Sequence, residues 1–586
     1  MTEAGCEAVI GVWDGHDAGA ALIVDGRVVT ALNEERLSGR KLDVGLPTRC
    51  LAVLREQAGN RRITWAVTTS DPAKTLTRLV PRLKEDYYRV RRRLTPPGAL
   101  TGLKQRAKYA LTQLPPNPLS RWWTRRWFAR TLGVPAHAVH LVDHHEAHAA
   151  SAAYWPDWDT DALIVTLDGI GDGKSGSVWR WSNARSRLTP LVSIPGRASF
   201  GLFFEHITNA LHMRPLEDEG KVMALAAFAS EVPPESNPFL RWFELQTDAS
   251  GGPTVVCRIA PNRMAAEVER IVWCTPREQV CRMAQQTLEQ FIPAFFARWA
   301  AATGVRAFGY AGGVASNIKV NRLIRSVPGV ERLEVCPAMG DGGLALGAAL
   351  AVWRRTTDRR PESFCDFRLG PDHGDLGATA AVLAQTTGAL LQHPTDIAAA
   401  VAELVAAGRI VMWAQGRMEL GARALGARSI VARADSVAAR DALNLRLKRR
   451  VWFQPFCPSL LLSEAPRLLA DFRGPHDVNL HMTTGFLTSP AGRAALAGAI
   501  SPDGSCRPQM VPDETDDPWA RLLHEMKTRT GTGAVINTSL NLHGKPMPDK
   551  AEDIVAAWLE CDVPHLALGS ALLSKPTSTA HGLRSA

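Results

Sequence analysis

The run HHEAHAASAAY, beginning at His144, sets two histidines four residues apart. On a helix that spacing brings His144 and His148 to one face, close enough to share a metal ion. His145 points elsewhere, and Asp143 and Glu146 add acidity without forming the His-Glu-x-x-His pattern of zinc proteases. By themselves the two histidines read equally as surface residues of an alanine-rich helix. Two carboxylates strengthen the metal reading. Asp168 ends the apolar run ALIVTLD, ahead of Gly169, Gly171, Asp172 and Gly173, and Asp341 lies where the loop MGDGG enters an alanine-rich helix. Open α/β sheets gather ligands at such strand ends, although Asp168 alone reads equally as a turn cap. Imidazoles with carboxylates suit Fe(II), Mn(II) or Zn(II).

A second group of residues suits phosphate. Gly312, Gly313 and Asn317 (AGGVASN) follow the apolar run 306–311, and Gly220 and Lys221 lie in DEGKVMALA. Glycines there let the backbone approach an anion at a helix N-terminus.

These residues need a frame. A chain of 586 residues is too long for one core, and 46% hydrophobic with 22% charged content is ordinary for a globular protein. The runs 7–13 and 20–32, around a turn at Asp25-Gly26, and 162–168 and 306–311 read as strands, and 278–302 reads as a helix. The polar, proline-bearing stretch 354–376 reads as a linker with a boundary near 365, after which a helix near 396–407 and a strand at 410–414 restart the α/β pattern. No short repeat is visible. No apolar run is long enough to span a bilayer, and the N-terminus has no basic n-region, so a cytoplasmic protein without a membrane partner is expected. The ten cysteines are scattered without Cys-x-x-Cys, which favours reduced, mostly buried thiols.

The net charge of +10 is concentrated. Residues 82–130 hold thirteen Lys/Arg, including Lys104, Arg106 and Lys108, against Glu85 and Asp86 only, with Tyr87, Tyr88, Trp122, Trp123 and Trp127 interleaved. Three readings stand: a solvated helical insertion packed by its aromatics, a surface for an acidic or polyphosphate partner, or a lid over substrate.

The elements GVWDGHDAGAALIVDGR, NEER, HHEAHAASAAY, TLDGIGD, FGLFFEH, EGKVMALA, AGGVASN and GDGGLALGAA occur in this order, followed by WAQGRMELGARALGARSI, NLRLK, PFCPSLL, CRPQMV and VINTSLN. The series resembles the O-carbamoyltransferase family of the tobramycin, cephamycin and ansamycin carbamoyltransferases and the nodulation protein NodU. The resemblance covers nearly all of the chain except the insertion and the linker.

It implies an α/β architecture: a Kae1-like, actin-like ATPase (ASKHA) domain over 1–360, a linker over 361–376 and a YrdC-like domain over 377–586. It implies ATP with Mg, Fe(II) or another divalent metal, carbamoyl phosphate as donor and a hydroxyl-bearing natural product as acceptor. It leaves room for a homodimer and does not point to nucleic acid. The second domain would form carbamoyl adenylate, and the first would transfer the carbamoyl group. By resemblance His144, His148 and Asp341 are metal ligands, with Asp168 a further acid there. His16 matches the base for the acceptor hydroxyl, a task that suits an imidazole, though it also reads as a hydrogen-bonded turn histidine. Lys221, Gly312, Gly313 and Asn317 would hold nucleotide phosphates. Arg423, Lys448 and Arg507 would grip carbamoyl phosphate and ATP, with Arg428, Ser429, Asn537 and Ser539 beside them. Glu34, Glu35 and Arg36 match a signature that reads as ion pairing or as substrate contact.

The departures are Gln454 and His543 where the family has arginine, Lys545 for a glutamate, and Leu42 for a frequent histidine. Arg449, Arg450 and Lys545 could restore charge, with different geometry. The departures motivate a second reading, a diverged member doing other acyl or carbamoyl chemistry. The insertion motivates a third, an RNA-binding or RNA-modifying protein.

Overall fold

A computed structural model describes residues 7–94, 107, 109–514, 516–542 and 544–576. His543, Lys104, Arg106 and Lys108 lie outside the described residues. The fold is mixed α/β, and its first part contains one arrangement twice. The first sheet comprises β1 (Glu7–Trp13), β2 (Gly19–Val24), β3 (Arg27–Asn33), β4 (Arg62–Thr68) and β5 (Val139–Val142), in the order β3-β2-β1-β4-β5. The second comprises β6 (Ala162–Gly171), β7 (Lys174–Ser182), β8 (Arg187–Pro195), β9 (Ala307–Ala311) and β10 (Arg332–Val335), in the order β10-β9-β6-β7-β8. In each, an antiparallel meander is extended beside its first strand by two parallel strands. The run 20–32 is therefore two strands, not one. Asp25 and Gly26, at φ 51° and 91°, make the tight turn between β2 and β3.

Seven helices position the chemistry: α1 (Pro72–Leu79), α2 (Pro81–Arg91), α3 (Pro118–Leu132), α4 (His144–Ala153), α5 (Arg277–Thr303), α6 (Ile318–Arg325) and α7 (Leu344–Thr357). The alanine-rich helices α4 and α7 pack together at backbone distance. A Cβ added to Gly347 of α7 would sit 1.9 Å from the Ala147 carbonyl oxygen of α4. One added to Gly11 of β1 would sit 1.9 Å from the Ala345 carbonyl oxygen of α7. Small residues here let two helices and a strand close without voids, which is why these runs are so rich in alanine and glycine.

The expected linker has no helix or strand between 358 and 375, yet it is strapped down. Arg417 donates to the carbonyls of Gly370 (2.6 Å), Leu369 (3.1 Å) and Val29, and Ala31 N donates to Leu369 O (2.9 Å). A third sheet of eight strands follows: β11 (Leu390–Gln392), β12 (Val411–Ala414), β13 (Arg428–Arg433), β14 (Cys457–Leu461), β15 (Gln509–Val511), β16 (Ala534–Ser539), β17 (His565–Leu568) and β18 (Ala571–Ser574), in the order β11-β18-β17-β12-β13-β16-β14-β15. It is tied to the first part by α6. Arg325, buried, pairs with Asp471 (2.7 Å) and Asp477 (2.5 Å), and Lys319 pairs with Asp503 (2.6 Å). Every described cysteine is free, and six of the nine are buried.

Candidate functional site

The carboxyl ends of β1, β4, β5 and β6 converge. After β5, the Asp143 carboxylate accepts from His145 N (2.9 Å) and Glu146 N (3.3 Å) and starts α4 at His144. His144 and His148 then share one face, with ring centroids 4.8 Å apart. Asp168 comes from β6, and Asp341 from the turn before α7. His144 Nε2 lies 3.1 Å from Asp168 Oδ2 and 3.7 Å from Asp341 Oδ1, and His148 Nε2 lies 3.6 Å from each of those oxygens. Ligands about 2.1 Å from one shared ion would be separated in this way. Both ring nitrogens of His148 are buried without a hydrogen bond, an orphaned group that a cation would satisfy. Burial opposes charge on His148, but Asp168 and Asp341 overcome it and raise its pKa to about 9. Burial likewise opposes ionisation of Asp168, yet the two histidines hold it well below the usual carboxylate range. The donor set fits a divalent metal.

His145 is spoken for elsewhere. Its ring bonds Thr166 Oγ1 (2.8 Å) and the Lys174 carbonyl (3.1 Å), and burial, with His144 beside it, pushes it down to about 3. Two supports were not singled out from sequence for this role. Asp172, fully buried, accepts from the backbone N–H of Ser70 (2.9 Å), Asp71 (3.0 Å) and His144 (2.8 Å), pinning the loop after β4 to the start of α4. Thr69 places its hydroxyl 3.0 Å from His144 Nδ1 and holds φ at 65°, a strained value for a β-branched residue. The only sequence trace of Asp172 was its place in a glycine-rich run.

His16 follows β1, half-buried, with Nε2 3.2 Å from Asp341 Oδ2 and Nδ1 3.4 Å from Asp17 Oδ2. It therefore adjoins the cluster. Asp14, two residues earlier and buried, collects three cations: Arg78 in a two-point contact (2.9 Å each), Lys74 (3.2 Å) and Lys84 (3.7 Å). Lys74 also lies 4.2 Å over the Trp13 ring, and burial lowers its ammonium to about 7.

The expected phosphate residues scatter. Gly313 N donates to Asp168 Oδ1 (2.7 Å), so this loop adjoins the cluster, and Gly312 holds φ 94° with Leu167 O only 2.1 Å from any added Cβ. Asn317 caps α6 and exchanges amide hydrogen bonds with Gln285 (2.8 and 3.1 Å). Lys221 pairs with Asp218 at 2.8 Å. Glu34 accepts from Arg49 N and Cys50 N at the start of the next helix, while Arg36 pairs with Glu35 (3.2 Å) and reaches Gly421 O (2.6 Å).

A cation pocket lies in the second part. Arg507 directs Nε and Nη2 at Cys457 Sγ (3.0 and 2.8 Å). Arg423 has no hydrogen-bond partner among the described residues; burial and then Arg507 lower it to about 9. Arg450 bonds Asn444 (2.7 Å) and sits over Phe456. Lys448, buried, bonds the Ser539 carbonyl and Asn541 (2.8 and 2.9 Å), and burial, Arg450 and Lys41 depress it strongly. No carboxylate pairs with these four among the described residues, so a bound anion would meet three guanidiniums without competition and would favour the charged form of Lys448. Arg428 instead clamps backbone, donating to the carbonyls of Gln415, Gly416 and Asp549 (3.1, 3.0 and 2.9 Å). Ser429 Oγ and Asn537 Oδ1 are buried without partners, and Ser539 Oγ bonds Asn541 (2.5 Å). At the departures, Gln454 Oε1 is buried unpaired and Lys545 pairs with Glu560 at 2.6 Å.

The family model for the carbamoyltransferase N-terminus matches residues 8–235 and 272–350, and that for the carbamoyltransferase C-terminus matches 402–575. The chain belongs to the carbamoyltransferase family. Among relatives of this carbamoyltransferase, nodulation protein NolNO of Sinorhizobium fredii is 29% identical over 96% of this chain and 80% of its own. Nodulation protein NolO of Bradyrhizobium diazoefficiens is 31% identical over 74% and 79%. The 3'-hydroxymethylcephem-O-carbamoyltransferase of Streptomyces clavuligerus is 26% identical over 94% and 96%. Among solved structures, component A of (R)-2-hydroxyglutaryl-CoA dehydratase from Acidaminococcus fermentans overlaps 60% of this chain and 99% of its own at 14% identity, with a TM-score of 0.33. That value is too low to add to the fold described above.

Proposed function

We propose that this carbamoyltransferase is an ATP-dependent O-carbamoyltransferase with two linked sites. One observation carries the reading: a four-ligand His/Asp cluster adjoins His16 in a chain that also holds a carboxylate-free cation pocket. The domains would be a Kae1-like transfer domain over 1–360, a linker over 361–376 and a YrdC-like activating domain over 377–586. In the activating domain Arg423, Lys448, Arg450 and Arg507 would hold carbamoyl phosphate and ATP. Their charge favours a first step in which water takes the phosphoryl group of carbamoyl phosphate, giving carbamate and inorganic phosphate, and a second in which a carbamate oxygen attacks the α-phosphate of ATP as the bond to pyrophosphate breaks.

At the transfer site the acceptor hydroxyl attacks the carbamoyl carbon, the bond to AMP breaks, and the hydroxyl proton passes to a His16 ring nitrogen. Asp17 and Asp341 fix the imidazole and stabilise its charged form. His144, His148, Asp168 and Asp341 would hold a divalent metal, which supplies Lewis-acid polarisation of the carbamoyl donor. The acceptor is a hydroxyl-bearing small molecule. Gly312 and Gly313 would lie against the nucleotide, while Lys221 and Asn317, engaged with Asp218 and Gln285, would contribute only after rearrangement.

The test is to incubate the metal-loaded protein with carbamoyl phosphate and ATP. AMP, pyrophosphate and the mass of carbamoyl adenylate are then measured, followed by acceptor alcohols scored for one added carbamoyl unit. Absence of carbamoyl adenylate would sink the reading.

A further inference from the structure

Helix α1 is inside out. Lys74 and Arg78 point inward to Asp14, with Arg78 fully buried, while Leu76 and Leu79 are 40% and 47% exposed. Exposed apolar residues continue past the end of α1 at Val80, where the backbone leaves the helix (φ −125°), and at Leu83 at the start of α2. Helix α3 lies against α1, where the Thr75 and Thr124 hydroxyls are 3.4 Å apart, and it exposes Leu119 and Trp122. Arg82 and Arg89 of α2 and Arg121 and Arg126 of α3 are exposed, with no carboxylate paired to them among the described residues. Of the two acids in 82–130, Glu85 is already held by Arg40 at 2.7 Å. Neither the transfer site nor the cation pocket uses this face.

We propose that the face formed by α1, the start of α2 and α3 docks on an anionic lipid surface. Exposed aliphatic side chains at the junction of the two helices enter the boundary between headgroups and acyl chains, while arginines beside them meet lipid phosphates. The exposed aliphatic residues offer nothing on which nucleic-acid bases stack, and among the described side chains of these helices Trp122 is the one exposed large aromatic. A second copy would bring Arg82, Arg89, Arg121 and Arg126 against the same four cations. Surface docking departs from the expectation of no membrane partner, which rested on the lack of a spanning run; no helix among the described residues is long and apolar enough to cross. Surface docking requires only the face described here, which sequence could not reveal because burial of Lys74 and Arg78 is what turns the leucines outward.

Sedimentation of the full-length protein with sucrose-loaded vesicles tests this. Vesicles of phosphatidylcholine alone are compared with vesicles of phosphatidylcholine and phosphatidylglycerol at about 3:1, in about 0.1 M salt. Binding is expected to the anionic vesicles and to weaken as salt rises. The pairs Leu76→Gln/Leu79→Gln and Arg82→Gln/Arg121→Gln should each lower the partition coefficient by about tenfold or more, with unchanged circular dichroism and melting temperature. No binding to anionic vesicles overturns the proposal. So does binding indifferent to the leucine pair, tighter binding to an RNA homopolymer than to vesicles, or a dimer in light scattering that the leucine pair dissolves.

Discussion

Single side chains divide the proposed reaction into separable halves. His148→Ala removes a ligand whose ring nitrogens have no other partner. Its metal affinity in calorimetry should fall by roughly 100-fold or more, and transfer to an alcohol should be lost, while formation of carbamoyl adenylate and pyrophosphate continues. Stripping the bound metal with a chelator, then removing the chelator and restoring Mg for ATP, should give the same split. Arg507→Met acts in the opposite direction. Deleting a charge-assisted contact worth about 2–3 kcal/mol should raise the KM for carbamoyl phosphate by roughly 30-fold or more and leave metal binding unchanged in calorimetry. The histidine pair was legible in sequence because helical spacing alone puts its rings together. Thr69 and Asp172 were not, since a hydroxyl against a ring nitrogen and a carboxylate against three backbone N–H groups follow from where loops meet. Arg428 shows the converse. It sits in a matched motif, yet the structure spends its guanidinium on backbone carbonyls.

Among the elements, the seam between α4 and α7 carries the strictest demand. Gly347→Ala would drive a methyl into the Ala147 carbonyl and force the helices apart, so we expect a loss of about 3 kcal/mol or more and a lower melting temperature. Metal affinity should drop with it, because the ligands ride on both sides of that seam. Strong periodicity made 278–302 readable as a helix, close to the observed Arg277–Thr303. Alternation is weaker evidence. In the run 20–32 the Asp25-Gly26 pair marked a turn, and the left-handed dihedrals there show that the run itself folds back into two paired strands. The duplicated sheet order was invisible because topology is shared without any short sequence repeat.

Across the whole molecule, α6 is the clasp between the two parts. Arg325→Met leaves Asp471 without a cation and Asp477 with Arg473 alone (2.9 Å), and denaturant melts should show a loss of about 3 kcal/mol. The Lys319–Asp503 pair adds a pH signature. Burial opposes charge on Asp503, but Lys319 holds it at about 2, below its ordinary value. A depressed carboxylate contributes fully above its unfolded pKa of about 4, and the contribution disappears as pH falls through about 2. Lys319→Met should therefore cost about 1 kcal/mol near pH 6, reduced by the partial exposure of Asp503, and close to nothing near pH 2, read from urea melts. The polar composition of 354–376 announced an irregular connection, but its anchoring by Arg417 depends on carbonyls that any sequence would supply. The backbone contact at Gly347 reaches furthest. With main chain pressed on main chain, the gap between the imidazoles and Asp341 is cast by the scaffold, and repacking side chains cannot widen it. A lineage that changed its metal would have to exchange a ligand rather than stretch the ring.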